Sequence, residues 1–432
     1  MNDQTAPQSP DSGLLARTAA LALISAALER RSGLDEALND PRFTRLSTQD
    51  RAFARAVAMA ALRNLGRIDR MLDARLHKPP PDAVIELLRL GLAQMLALDV
   101  PDFAAVATTV TMAERNEATR PFKGLINAVL RGIARERPQT PPEANLPDWL
   151  WQRWRGFYGD DTARAIANAA TDEPPTDLTP RDDASDELVA SLDAERLAGG
   201  SLRTRRHGEL PAWPGFAEGD WWVQDAAAAI PARLLNVGES ETACDLCAAP
   251  GGKTLQLASA GANVVAVDRS AQRLKRLHEN LQRTRLAADV VVADAESWND
   301  ARTFDAVLLD APCTSTGTFR RNPETLWSTR PADIAKLADV QHRLLDASAK
   351  RVKPGGRLVY CVCSLEREEG EAQAVAFLRR HPEFETLPAE PGEAGAPEAA
   401  ATPEGWLRIL PSQWPEIGGL DGFFAARFSR RG

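Results

Sequence analysis

Through the first part of the chain, apolar residues return every three or four positions. Leu14, Leu21, Ile24 and Leu28 share one helical face, which Leu15 and Ala22 widen. The same period predicts amphipathic helices over 49–65, 68–76, 82–98, 101–113 and 124–135. Ser47 with Asp50, and Pro101 after Val100, are helix starts, because a short hydroxyl caps free N–H groups and proline is tolerated where no N–H is needed. No glycine-rich loop or acid–base pair interrupts residues 13–137, so an all-α domain with a binding or scaffolding role is expected there. Residues 1–12 are polar and predict a disordered lead.

The period changes after a proline-rich linker at 138–146. Residues 138–215 mix a helix carrying Trp151 and Trp154 with a second helical stretch at 186–198. From 216 to 432, short β-branched runs alternate with helical segments at 225–235, 252–260, 271–283, 333–351 and 368–380. That alternation implies an α/β domain, a parallel sheet with helices on both faces. The Ala/Glu/Pro-rich stretch 385–404 reads as a mobile loop. After it, 406–410 and 423–428 read as a closing antiparallel hairpin.

The most specific chemistry lies at a strand-to-helix turn, Asp245-Leu-Cys-Ala-Ala-Pro-Gly-Gly-Lys-Thr254. Cys247, Ala248, Ala249, Pro250, Gly251, Gly252 and Lys253 form a candidate cofactor turn, since glycines let backbone N–H groups approach a polar ligand at a helix N-terminus. The strand-like run 263–268 closes on Asp268, about 20 residues past the start of the turn, where an open α/β sheet sets an acid against ribose hydroxyls. The glycine pattern is not G-x-G-x-x-G, so a nucleoside without phosphate fits better than a dinucleotide. Val290-Val-Val-Ala-Asp294 offers an acid for an adenine edge. The run 304–313 delivers Asp310 and Cys313 to the C-terminal rim of the sheet, and 356–364 delivers Cys363 there. Ligands of such sheets bind at that rim. Lys253 is placed to meet a cofactor carboxylate or a target phosphate, or is a solvated lysine at a helix start.

Composition narrows the class. At 432 residues the chain has room for two or three cores. No apolar run reaches the length of a membrane span and no basic leader precedes an apolar one, so a cytoplasmic protein is expected. All five cysteines fall between 244 and 363. Cys244-x-x-Cys247 and Cys361-x-Cys363 invite a metal or redox reading, but no histidine pair lies at ligand spacing and the first pair does not open a helix. No metal is expected, and Cys244 and Cys361 read as buried strand residues. The net charge of −8 runs against phosphate binding. Basic clusters at 203–206, 275–276, 320–321 and 427–431 make an RNA track only if folding brings them to one face.

Four motifs together carry a family resemblance: the turn at 247–253, Asp310-Ala-Pro-Cys313, Cys363-Ser-Leu with the acidic run Glu366 to Glu371, and Asp421-Gly-Phe-Phe424. They resemble the S-adenosylmethionine-dependent RNA cytosine-C5 methyltransferases. Within that family the chain is similar to the bacterial 16S ribosomal RNA enzymes with a NusB-like N-terminal domain, on Asp50-Arg-Ala-Phe and Asn127-Ala-Val-Leu-Arg131. The resemblance implies a Rossmann-like catalytic domain with a mostly parallel seven-stranded sheet over 216–432. It also implies a small RNA-contacting α/β module over 138–215 and an RNA- or protein-binding domain over 13–137. S-adenosylmethionine is the implied cofactor and 16S rRNA the implied partner. A monomer that needs no membrane is expected.

Cytosine C5 is too weak a nucleophile to take a methyl group unaided. A thiolate at C6 activates it, and a carboxyl group at N3 stabilises the enamine. The resemblance assigns the attack to Cys363, release of the adduct to Cys313 and the N3 contact to Asp310. DNA cytosine methyltransferases attack with the cysteine of a Pro-Cys pair, which keeps Cys313 open as the nucleophile. Two functions compete: a tRNA cytosine-C5 methyltransferase, and a non-catalytic RNA-binding assembly or antitermination factor. The helical domain argues against the first, and the set Asp310, Cys313 and Cys363 against the second. Three positions depart from the family. Leu178-Thr-Pro-Arg181 replaces an RNA-contacting Leu-Arg-x-Asn, Thr-Ser-Thr at 314–316 replaces Ser-Gly-Thr, and Val362 replaces a threonine.

Overall fold

A computed structural model describes residues 10–29, 34, 37–98 and 100–432. The chain divides into two units, Met1–Asp172 with Asn322–Ser328, and Glu173–Arg321 with Thr329–Gly432.

In the first unit the period of three to four becomes helices α1 Pro10–Glu29, α2 Thr48–Arg63, α3 Leu65–Asp73, α4 Asp82–Ala97, α5 Asp102–Arg115 and α6 Lys123–Glu136. Their apolar faces meet in one core that includes Ile24, Val57, Leu88 and Leu130. Ser47 caps α2 as its sequence suggests, its hydroxyl accepting from the Asp50 N–H at 3.1 Å. The segment 1–12 read as a disordered lead needs correction: α1 already begins at Pro10, and residues 1–9 lie outside the described residues.

Helices α7 Asp148–Tyr158 and α8 Asp160–Asn168, beyond the proline run, are also part of this compact unit. That run is held against α3: buried Asn145 accepts from the Arg67 N–H at 3.3 Å, and the Arg67 guanidinium donates to Thr140 Oγ1 at 2.8 Å. Trp154 of α7 is fully buried.

The second unit opens with a small antiparallel sheet in the order β2–β3–β1–β4, formed by β1 Thr176–Pro180, β2 Ala194–Arg196, β3 Leu202–Thr204 and β4 Trp221–Val223. The module expected at 138–215 therefore starts later and runs further. Its helix α9 Asp186–Ser191 is shorter than the predicted 186–198, because Asp193 takes a left-handed φ of 49° and the chain turns into β2. Trp213 and Trp221 fill this sheet's core.

The main sheet comprises β5 Thr242–Leu246, β6 Asn263–Asp268, β7 Asp289–Val292, β8 Phe304–Asp310, β9 Val352–Val362, β10 Phe384–Thr386, β11 Leu407–Ile409 and β12 Phe423–Arg430. Its order is β10–β12–β9–β8–β5–β6–β7, with β11 paired to β12. Neighbours from β9 to β7 are parallel, and β12 is antiparallel to β9, β10 and β11. The count is eight strands rather than seven, because short β11 lies along the edge of β12 that β10 also uses. Helices α10 Ala226–Leu235, α11 Gly252–Ser259, α12 Ala271–Thr284, α13 Pro331–Ala349 and α14 Glu371–Arg380 connect the strands. Ala306, Leu308, Val359 and Cys361 pack in one core, and Val307, Leu309, Leu358 and Tyr360 in another. That alternation is the two-residue period of strands buried on both faces.

The stretch 385–404, read as a mobile loop, is instead tied down. Its first residues pair with β12, Ala396 and Ala400 are buried, and Arg427 holds Glu393 at 2.7 Å and the Pro388 carbonyl at 2.7 Å. No helix of the described residues is long and apolar enough to cross a membrane.

Candidate active site

The cofactor turn follows β5. Cys247 adopts a left-handed φ of 63°, and the Ala249 N–H reaches Asp268 Oδ2 at 3.1 Å. Gly251 has φ 112°, and a Cβ there would lie 2.4 Å from Leu277 Cδ1, so only glycine fits. The chain then enters α11 at Gly252, whose first turn leaves backbone N–H groups without helical acceptors. Asp268 closes β6, nearly buried, its Oδ1 accepting from the Ser270 N–H at 2.8 Å. Each of its oxygens keeps a lone pair for a hydroxyl donor. Asp294 lies two residues beyond β7, exposed, its Oδ1 accepting from the Glu296 N–H at 3.0 Å. Asp245 was not among the expected site residues. It is fully buried, the Thr254 hydroxyl donates to its Oδ2 at 2.5 Å, and Oδ1 has no hydrogen-bond partner among the described residues. Burial pushes its carboxyl up to about 7. Acceptors on successive strand ends beside a turn with free N–H groups suit a nucleoside cofactor bearing hydroxyls and no phosphate.

On the neighbouring strand ends, Lys253 and Asp310 form an ion pair, with Nζ 2.7 Å from Oδ2. Lys253 also lies over the Phe423 ring at 5.3 Å. Burial pushes its ammonium down, but the Asp310 carboxylate outweighs this and holds it above its ordinary value. Lys253 is thus buried in an ion pair rather than solvated. Cys361, buried in β9, places Sγ 3.5 Å from Asp310 Oδ1.

The two rim cysteines meet. Cys313 Sγ is 3.4 Å from Cys363 Sγ, and Ser315 Oγ lies 3.5 Å from Cys363 Sγ. The contact with Cys313 holds Cys363 below the ordinary thiol range against burial and Asp310, with Ser315 and Lys253 assisting. Cys313 is pushed well above that range by the same contact, by burial and by Glu369. The pair is therefore polarised, with Cys363 toward the thiolate. The backbone around it is tight. The Gly317 N–H donates to the Cys363 carbonyl at 3.0 Å and the Gly422 N–H to the Gly317 carbonyl at 2.8 Å. A Cβ on Gly317 would fall 2.0 Å from Gly422 O, so the Asp421-Gly-Phe-Phe424 motif backs the thiol loops directly. All five cysteines are free, and among the described residues no group of three or more His, Cys, Asp or Glu could hold a metal.

Several members of the basic clusters are held in ion pairs. Arg203 is buried against Asp177 by two 2.7 Å hydrogen bonds, Arg321 pairs with Asp225 at 2.6 Å, Arg320 lies 3.6 Å from Asp421, and Arg427 holds Glu393. Arg181, in the element that departs from the family, donates its N–H to the Asp220 carbonyl at 2.7 Å and pairs with Asp182.

A family model described as 16S rRNA methyltransferase RsmB/F matches residues 232–429, and the NusB family model matches 14–135. Ribosomal RNA small subunit methyltransferase B of Sodalis glossinidius (strain morsitans) is 38% identical over 416 residues, covering 90% of this chain and 92% of that one. The chain belongs to the RsmB/F family. The Klebsiella pneumoniae (strain 342) protein of the same name is 34% identical, over 96% of this chain and 98% of its own. The crystal structure of PH0851 aligns with a TM-score of 0.78 at 25% identity, over 98% of this chain and 100% of that one. As an RsmB/F protein the chain is an S-adenosylmethionine-dependent rRNA methyltransferase with a NusB-family helical domain. Sequence reasoning brought Asp268, Asp310, Cys313 and Cys363 to this rim. It missed Asp245, Ser315 and Glu369, and the pairing of Lys253 with Asp310; the acidic run 366–371 was the one visible signal for Glu369.

Proposed function

We propose that the chain methylates cytosine C5 in 16S rRNA through a covalent bond from Cys363 to C6. The observation that carries this reading is the close thiol pair, 3.4 Å apart, on the rim that also bears the Lys253–Asp310 pair. S-adenosylmethionine, when bound, supplies an electrophilic methyl group; Asp268, the turn at 247–253, Asp294 and Asp310 hold it. The Cys363 thiolate bonds to C6 and makes C5 enamine-like. Asp310 lies against N3, and the Lys253 ammonium, 2.7 Å from its Oδ2, supplies the proton that Asp310 passes to N3 as charge develops there. After methylation C5 still carries its proton. Cys313 assists transfer of that proton to water, the C–H electron pair re-forms the C5–C6 double bond, Cys363 leaves as the thiolate, and the N3 proton returns to the Asp310–Lys253 pair.

Two experiments test this. Bisulfite mapping of rRNA from a strain lacking the gene should lose one 5-methylcytosine signal in 16S rRNA. A loss in tRNA instead, or none, overturns the substrate. Cys313→Ala incubated with RNA and S-adenosylmethionine should accumulate a denaturant-resistant protein–RNA species. Its appearance with Cys363→Ala instead would exchange the two roles.

The helical unit adds RNA-binding surface in this reading. A groove of about 550 Å³ between α5 and α6 is lined by Phe103, Val110, Asn127, Arg131 and Arg135. Phe103 is 78% exposed, and Asn127 and Arg131 make no side-chain hydrogen bond or ion pair among the described residues. An exposed ring beside two guanidinium groups suits a base and its phosphates. The enzyme works as a cytoplasmic monomer without metal in this reading.

A further inference from the structure

One buried carboxylate outside the proposed reaction touches the loops of both cysteines. Glu369, fully buried just before α14, receives four hydrogen bonds. The Thr314 N–H donates to Oε1 at 2.9 Å and the Thr314 hydroxyl to Oε2. The Ser364 hydroxyl donates to Oε2 at 2.5 Å, and Gln341 Nε2 to Oε1 at 3.1 Å. Thr314 follows Cys313 in the chain, and Ser364 follows Cys363. Gln341 of α13 also donates to the carbonyl of Pro312, the residue before Cys313, at 2.9 Å. A single side chain thus gathers residues next to each thiol, which lie 50 positions apart in sequence.

We propose that Glu369 is a positioning residue for the thiol pair: its carboxylate clamps the Cys313 and Cys363 loops together and thereby holds Cys313 Sγ within 3.4 Å of Cys363 Sγ. Glu369 does not reach the base in this role. The inference rests on the thiol pair being the reacting groups, but it concerns their geometry in the free enzyme. Four donors converge on the carboxylate; an amide of the same shape keeps its oxygen for the two N–H donors, but its NH₂ forces the Thr314 and Ser364 hydroxyls to turn into acceptors, which gives up the charge-assisted bonds to both loops. Burial pushes the Glu369 carboxyl up, while the four donors favour its anion. The other charged or titratable groups acting on Cys363 are Cys313, Asp310 and Lys253; of these the substitution acts on Cys313, which Glu369 pushes up.

The test reads thiol reactivity without RNA, so it can fail independently of the methylation chemistry. Full-length Glu369→Gln is alkylated with iodoacetamide from acid to alkaline pH, and Cys363 is followed by peptide mass. The Cys363 profile should move up by about one pH unit, a roughly tenfold slowing at neutral pH. Affinity for S-adenosylmethionine should stay within about twofold, because the cofactor turn is untouched. In a Cys313→Ala background the same substitution should produce no further shift, since the clamp acts through Cys313. An unmoved profile in Glu369→Gln, or an equal shift in the Cys313→Ala background, overturns the proposal. Should Glu369→Gln not fold, Thr314→Val decides the matter. It removes one of the four bonds and should slow Cys363 alkylation by about threefold; an unchanged rate overturns the proposal equally.

Discussion

The helical unit and the catalytic unit bury different chemistry. Around Ile24, Leu88 and Leu130 the first is packed mostly by apolar side chains, with Gln94, Thr109 and Asn145 also buried. The second buries Asp177, Asp225, Asp245, Asp268, Glu369 and Asp421 together with Arg203, Lys253 and Arg320. An apolar core asks for volume and tolerates like-sized swaps at under about 1.5 kcal/mol. A buried ionic network asks for each named partner, because removing one leaves a charge with neither water nor counter-ion. The units therefore differ in what a small change costs, and a catalytic rim gains its fixed geometry at the expense of tolerance.

The sharpest contrast is in activity. Cys363→Ala should lower methyl transfer to rRNA by on the order of 10⁴-fold or more and abolish any covalent adduct, while Leu88→Met in α4 should leave turnover essentially unchanged. Tritiated methyl incorporation measures both. Near-normal turnover in Cys363→Ala would remove the covalent step from this chain.

Stability gives the next contrast. Asp177→Asn keeps the shape but removes the charge opposite Arg203, whose guanidinium is bound at 2.7 Å on both oxygens. Asp177 Oδ2 also accepts from the Ala226 N–H at 2.9 Å, at the start of α10. A loss of about 3–5 kcal/mol is expected in chemical denaturation of the catalytic unit, against less than about 1.5 kcal/mol for Leu88→Met in the helical one. Equal losses would erase the distinction.

Binding should separate the units more finely. Asp268→Ala should weaken S-adenosylmethionine by about 1.5–3 kcal/mol in calorimetry, the range for hydrogen bonds to a charged group. An unchanged affinity would take Asp268 out of the cofactor site. Arg131→Ala combined with Arg135→Ala should leave cofactor affinity alone and lower RNA affinity. The salt dependence of RNA binding should become shallower by about one to two in log–log slope, one for each phosphate no longer neutralised. An unaltered slope would leave the helical unit without a phosphate partner at that groove.

Much of this was legible in local patterns. The helices of the first unit follow from Leu14, Leu21, Ile24 and Leu28 and their later counterparts, and the rim residues follow from strand ends and one glycine turn. What local patterns could not supply were pairings between distant positions. Arg321, from one of the basic clusters, meets Asp225 across 96 residues, and Lys253 of the cofactor turn meets Asp310 across 57, so cations that local sequence left unassigned are held in ion pairs. The proline run at 138–146 reads as a linker, yet Arg67 holds Thr140 and Asn145 from 73 and 78 positions away. The acidic, proline-rich composition of 385–404 suggested mobility because Arg427, which fastens it, lies 34 residues beyond Glu393.

The antiparallel pairing of β12 with β9, from Phe424 opposite Val362 to Ser429 opposite Arg357, also sets an order of events during translation. The parallel strands and both cysteines leave the ribosome before β12 exists. Until residues 423–430 follow, β9 presents an unpaired edge, open to other strands in the crowded surroundings of a nascent chain. Gly317 and the Cys363 loop also lack the Gly422 backbone that supports them. Chains halted between residues 364 and 422 would carry both thiols yet neither a closed sheet nor a finished rim, and they should be cleared by proteases rather than accumulate as partial enzymes.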